Sequence, residues 1–222
     1  MLRVRPIIST AAPDTHATLL TALGLRCVHD DGELKVFDSG NGKVGVLDVP
    51  AGEQCGTTEL GFELRDAEVF VRRTLAEGTH AELVNSGQCQ AARVTAPGGF
   101  NFLATESSDL SLPTAGARLG VAVLWRTPNP EVASKVLADI GALHVMDSPD
   151  GGALFRTKNG GQVGTAAGAV TGVELSVRYG GGLAFLADKL AAVGIDSELA
   201  AATLRVPMPD GGTLTVADWL DS

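Results

Sequence analysis

Two stretches of this chain, 117 residues apart (122 − 5), carry the same structural signals in the same order. Arg5 to Asp30 reads RPIISTAAPDTHATLLTALGLRCVHD, and Ala122 to Asp147 reads AVLWRTPNPEVASKVLADIGALHVMD. Thr10 meets Thr127, Pro13 meets Pro130, Leu20 meets Leu137 and Gly24 meets Gly141. Further on, the second copy is two residues longer and GKVGV meets GQVGT. Repetition of this kind means that one supersecondary unit is used more than once, and it limits the fold more than any single motif.

Each copy opens with an apolar strand such as VAVLW. Asn129 suits an N-cap and Pro130 the first helical position, where its missing N–H costs nothing. Pro13 holds the same place in the first copy, behind the poorer cap Ala12. Val132, Val136 and Ile140 recur at four-residue spacing, one apolar helix face. Gly24 and Gly141 fall where a helix end needs a left-handed residue. Short alternating strands follow, ELKVF and KVGVLDV in one copy, ALFRT and QVGT in the other, separated by glycine-rich turns. A second pair of similar segments fills the gaps: Thr58 to Leu83 and Val173 to Leu199. Strand–helix–strands is thus written four times. The polar segment SSDLSLPTAGA divides the pairs, giving expected domains of 1–108 and 116–222 with a linker at 109–115.

Apolar residues make up 45% of the 222, and mean hydropathy is +0.18, so a sizeable core can be buried. Aromatics are only 5%, so that core must be mostly Ala, Val and Leu. A net charge of −9 argues against nucleic-acid partners and anionic membranes, which require a basic face. Cys27, Cys55 and Cys89 show no metal-type spacing and read as free thiols. The N-terminus has no long apolar run and no segment reaches membrane-span length, so the expectation is a cytoplasmic chain without a signal peptide.

The βαβββ unit repeated in pairs resembles the vicinal oxygen chelate superfamily, which includes glyoxalase I, extradiol dioxygenases, fosfomycin-resistance thiol transferases and bleomycin-resistance proteins. The turns and strands APGGFNF and MPDGGTLTV resemble the family's Asp-Pro-Asp-Gly turn and final strand. The resemblance covers almost the whole chain. It implies an α+β fold with two curved mixed sheets, each around a cleft with its helices outside. In the family's metal enzymes, three side chains from two first strands and one final strand hold a divalent ion. Motif matching places these positions at Arg5, Glu59 and Leu103 in the first half, and at Ala122, Glu174 and Thr215 in the second. A catalytic metal needs about three protein ligands, and a guanidinium has no lone pair to give. Each set keeps one carboxylate, so neither metal nor other cofactor is expected.

Strand alternation indicates what the clefts hold instead. If Val121, Val123 and Trp125 face the helix, then Ala122, Leu124 and Arg126 face the cleft. Arg3, Arg5, Ile7 and Ser9 share the first cleft with Glu59, Gly61 and Glu63. Glu174, Ser176 and Arg178 line the second. Arg5 is expected to pair with Glu59. Arg126 and Arg178 are placed to meet an anionic or polar ligand. The candidate ligand-binding residues are Arg5, Glu59, Ala122, Arg126, Glu174, Arg178 and Thr215. The second cleft should be roomier, because Ala122 and Thr215 are small where Arg5 and Leu103 are large. Trp125 reads as core. Trp219 could reach a cleft rim or a subunit contact. His16, His29, His80 and His144 match nothing between copies and read as surface or structural. YGGGLAF lacks the partners of a phosphate loop, and no serine has a nucleophile-elbow setting.

The expected function is metal-free binding or sequestration of a small molecule of unidentified structure. One alternative is a metal-dependent lyase, isomerase or dioxygenase that uses Glu59 or Glu174 with Glu106 or Asp218. Another is a non-catalytic interaction protein whose clefts are filled by their own side chains. A homodimer is compatible with all three.

Overall fold

In the computed structural model, residues 1–52, 54–86, 89–109 and 111–218 are described; Trp219 lies outside them. The first repeat runs β1 (Leu2–Val4), β2 (Ile7–Thr10), α1 (Pro13–Leu23), β3 (Arg26–Asp30), β4 (Leu34–Asp38) and β5 (Lys43–Asp48). The second runs β6 (Thr57–Glu59), β7 (Gly61–Leu64), α2 (Ala67–Ala76), β8 (His80–Ser86), β9 (Cys89–Thr95) and β10 (Asn101–Glu106). The third has β11 (Leu119–Thr127), α3 (Pro130–Asp139), β12 (Leu143–Asp147), β13 (Ala153–Arg156) and β14 (Gln162–Ala167). The fourth has β15 (Gly172–Tyr179), α4 (Leu183–Ala191), β16 (Glu198–Ala200), β17 (Thr203–Pro207) and β18 (Thr213–Asp218).

The helix signals act locally as expected, with one exception. Pro13 and Pro130 open α1 and α3, and Gly24 ends α1 at φ +114°, its N–H reaching back to the Leu20 and Thr21 carbonyls. Asn129 makes no side-chain cap; its own N–H instead donates to Thr127 Oγ1. The start of α2 is satisfied twice, by Asp66, which accepts from Val69 N–H, and by Glu106, which accepts from Ala67 N–H at 2.7 Å.

The third and fourth repeats form one eight-stranded mixed sheet, ordered β12-β13-β14-β11-β15-β18-β17-β16. Its halves join where β11 runs antiparallel to β15. The first two repeats follow the same order but divide into two five-stranded sheets, β3-β4-β5-β2-β6 and β1-β7-β10-β9-β8. The expected α+β fold of mixed sheets is found; among the described residues the first of the two is divided into two hydrogen-bonded parts. The break falls at Arg5–Pro6, opposite Leu60, because proline has no N–H to give the ladder. The path continues across it: Arg5 N–H donates to Gly61 O at 2.9 Å and Gly45 N–H donates to Pro6 O at 2.8 Å. Register is unchanged on either side, with Val4 opposite Phe62 and Ile7 opposite Glu59.

The halves meet through two equivalent hairpin turns. Val4 N–H donates to Gly160 O and Val121 N–H donates to Asn41 O, each at 2.9 Å. Gly42 and Gly161 make the close approach possible. A Cβ on Gly42 would lie 2.9 Å from Val121 Cβ, and one on Gly161 would overlap Val4 Cβ. Both glycines have positive φ, +97° and +92°. One continuous buried cluster includes Val4, Phe62 and Phe102 from one half and Val121, Trp125 and Leu137 from the other. Trp125 is core as expected, 2% exposed, with its ring 4.6 Å from that of Phe100. Among the described residues no helix is long and apolar enough to cross a membrane.

Candidate functional site

Each sheet has a face away from its helices, here called the inner face. In the second half, Thr165 lies opposite Trp125, and its hydroxyl meets Ser134 of α3 at 2.6 Å, so Trp125 and Val123 face the helix. Leu124, Gly164 and Leu154 cluster on the other side. The expected alternation holds, and Ala122, Arg126, Glu174, Ser176, Arg178 and Thr215 all fall on the inner face. Trp125 and Phe155 are buried in the helix-side core and do not plug it.

The first inner face is filled by charge. Glu63 is 4% exposed, and its carboxylate meets three cations: Arg3 at 3.0 Å, Lys43 at 3.4 Å and Arg5 at 3.7 Å. Arg5 therefore pairs with Glu63 and not with the expected Glu59. The reason is register: Glu63 sits directly opposite Arg3, whereas Glu59 sits opposite Ile7, where the strand reaches solvent. Arg3 is fully engaged. It donates to the carbonyls of Asn159, Asp109 and Ser111, to Ser111 Oγ and to Glu63. Asp109 also accepts from Lys43 at 3.1 Å, and this bond holds its carboxyl below the usual value. The segment after β10 thus closes the first inner face. Burial lowers the pKa of Arg5, Glu63 opposes that shift, and Arg5 Nε is buried without a hydrogen-bond partner.

The second inner face carries fewer charges. At its centre Ala122 lies opposite Ser176, which lies beside Thr215. Ser176 Oγ donates to Ala122 O at 3.2 Å. Arg126 and Glu174 form a diagonal surface pair at 2.5 Å, both about half exposed; the bond raises the Arg126 pKa. Arg178 lies opposite Gly120 and next to Ala217. It is half-buried, its pKa is lowered by burial alone, and among the described residues it has neither ion pair nor hydrogen bond.

The motif-matched metal positions are now fixed in space. In register across the sheets, Arg5 is followed by Gly61 and Leu103, and Ala122 by Ser176 and Thr215, so the matched Glu59 and Glu174 each stand two residues along the strand from these rows. A cation, a bare backbone, an aliphatic chain, a methyl and two hydroxyls do not fit a transition-metal site. Among the described residues no three His, Cys, Asp or Glu side chains converge as a metal site. Glu106 is committed to the α2 N-terminus, on the helix side.

A defined cavity of about 290 Å³ lies on neither inner face. It sits between α1 (Thr15, Leu19) and the strand and turn after β17 begins (Pro207, Met208). It lies in neither cleft and so does not decide which of the two is roomier. The inner face has small residues at its centre, Ala122, Ser176 and Thr215, and the cavity is a mainly apolar seam where the halves abut. The cavity's one charged wall residue is Asp196; the unpaired charge stands on the inner face.

No family model matches the chain, and no curated protein matches it by sequence. Solved structures do. The homoprotocatechuate 2,3-dioxygenase of Arthrobacter globiformis is 14% identical, with a TM-score of 0.69 over 98% of this chain and 78% of that one. The chain has the vicinal oxygen chelate fold. The Mn(II)-bound glyoxalase of Novosphingobium aromaticivorans shares the fold at 13% identity and TM-score 0.62, covering 97% of this chain and 80% of that one. A hypothetical protein from Staphylococcus aureus does so at 10% and 0.62, covering 99% and 100%. At such identities the vicinal oxygen chelate likeness is one of backbone, and the site rests on this chain's own residues.

Sequence reading found Arg3, Glu63, Ser176 and Arg178 by alternation. It missed Lys43, although GKVGV places that residue beside the first strand. It also missed the docking of Asp109 and Ser111, which no local pattern signals.

Proposed function

We propose that the protein binds a small molecule on the inner face of the β11–β18 sheet, holds no metal ion there, and acts by sequestration. One observation carries the reading: Arg178, half-buried opposite Gly120 and one row from Ala122 and Thr215, has no partner among the described residues. A guanidinium taken partly out of water without a counter-charge is costly, and a bound molecule removes that cost. The first half would be the closed counterpart, its charges used to hold the linker. Together these suggest two units, 1–108 and 116–222, of which only the second binds. The set Ala122, Arg126, Glu174, Arg178 and Thr215 would line the site; Arg5 and Glu59 would be structural.

Ligand-observed NMR with a fragment collection tests this. Hits are expected that lose their signal when Thr215→Trp fills the face. If no fragment binds the folded protein, or if hits are unaffected by Thr215→Trp and compete instead for the cavity at Leu19 and Met208, the reading fails.

A further inference from the structure

The two halves are internal controls for one another. In their shared register Arg3 corresponds to Gly120, Arg5 to Ala122, Lys43 to Gln162 and Glu63 to Arg178. In the first half a buried carboxylate sits among three cations. In the second half the charge at that place is inverted, and the three cation positions around it, which would repel a guanidinium, are a hydrogen, a methyl and a neutral amide. Among the described residues the chain thus places a cation beside small neighbours and gives it no anion.

Resting on the reading that this face binds a small molecule, we propose that its ligand is a small monocarboxylate held by Arg178. The guanidinium is a planar fork that matches a carboxylate in two parallel hydrogen bonds. Arg126 already answers Glu174, whereas Arg178, half-buried on β15, has no ion pair among the described residues; the more exposed Arg156 and Arg205 stand on the same face, opposite Gln162 and Thr215. Beyond the carboxylate, the next row offers the Ala122 methyl and the Ser176 and Thr215 hydroxyls, a flat floor suited to a ring or short chain.

The test is a ¹H–¹⁵N titration of the full chain at neutral pH and fixed ionic strength, with benzoate, benzamide and inorganic phosphate as probes. Benzoate is expected to shift the Gly120–Ala122 and Ser176–Tyr179 amides and the Arg178 Nε–H, with benzamide and phosphate at least about tenfold weaker. Arg178→Met should abolish the preference for benzoate over benzamide, and Arg178→Lys should retain part of it, as a point charge without the fork. Equal binding of benzamide, stronger binding of phosphate, or a preference that survives in Arg178→Met would overturn the carboxylate assignment while leaving the binding face standing. If neither the probes nor the fragment collection shifts this face in the folded protein, the underlying reading falls with it.

Discussion

Glu63 and Arg178 occupy the same place in the two halves and carry opposite charge. Glu63 lies opposite Arg3 and is 4% exposed; Arg178 lies opposite Gly120 and is half-buried. The carboxylate is embedded in its own counter-charges, and among the described residues the guanidinium is left without one. Substitutions at the two positions should therefore behave differently. Glu63→Gln leaves Arg5 without its ion pair and Arg3 and Lys43 with Asp109 alone as counter-charge, and should cost about 3 kcal/mol or more, as the breaking of buried ion pairs does. Arg178→Met removes a desolvated charge with no partner and should change stability by less than about 1 kcal/mol. Urea unfolding of both variants measures this; equal losses would contradict the assignment.

The seam between the halves depends on two glycines. Gly161→Ala places a methyl against Val4 at φ +92°, and Gly42→Ala places one 2.9 Å from Val121 Cβ at φ +97°. Gly99 has a similar φ of +89° but open space around it. Gly99→Ala should thus cost only the backbone term, roughly 1–2 kcal/mol. The two seam variants should lose about 1–3 kcal/mol more, from overpacking. The order expected in thermal denaturation is Gly161→Ala least stable, then Gly42→Ala, then Gly99→Ala.

Asp109 gives the linker contact a pH dependence. Its folded pKa is below the ordinary 3.8, chiefly because Lys43 donates a hydrogen bond to it. A depressed carboxyl stabilises the fold above its ordinary pKa, and that contribution is lost as pH falls through the lower folded value. Asp109→Asn should therefore melt below the parent chain at neutral pH, with the gap closing below about pH 4. A gap that widens in acid would refute the contact.

Neither inner face has a donor set for a transition metal, so the protein purified without chelator should carry far less than one per chain. Elemental analysis decides this. A stoichiometric metal whose removal lowers the melting temperature would overturn the sequestration reading and favour the metal-dependent alternative.

The repeat, its helix signals and its strand alternation were legible in the sequence because they are local. Pro13, Gly24 and the spacing of Val132, Val136 and Ile140 set helices whatever surrounds them. The period of two sends Ala122 and Arg126 to one face and Trp125 to the other. Those periodicities also suffice to place Arg178 on an inner face. What they do not contain is distance between segments. A choice between Glu59 and Glu63 as partner of Arg5 is a shift of two residues, which preserves facing and so leaves no trace in the pattern; only cross-strand register resolves it. The docking of Asp109 and Ser111 on Arg3 joins residues more than 100 apart. The split of the first sheet at Pro6 required knowing what lay opposite. Whether an arginine is answered by a neighbour or left for a ligand is likewise a property of the space around it, which tertiary packing alone creates.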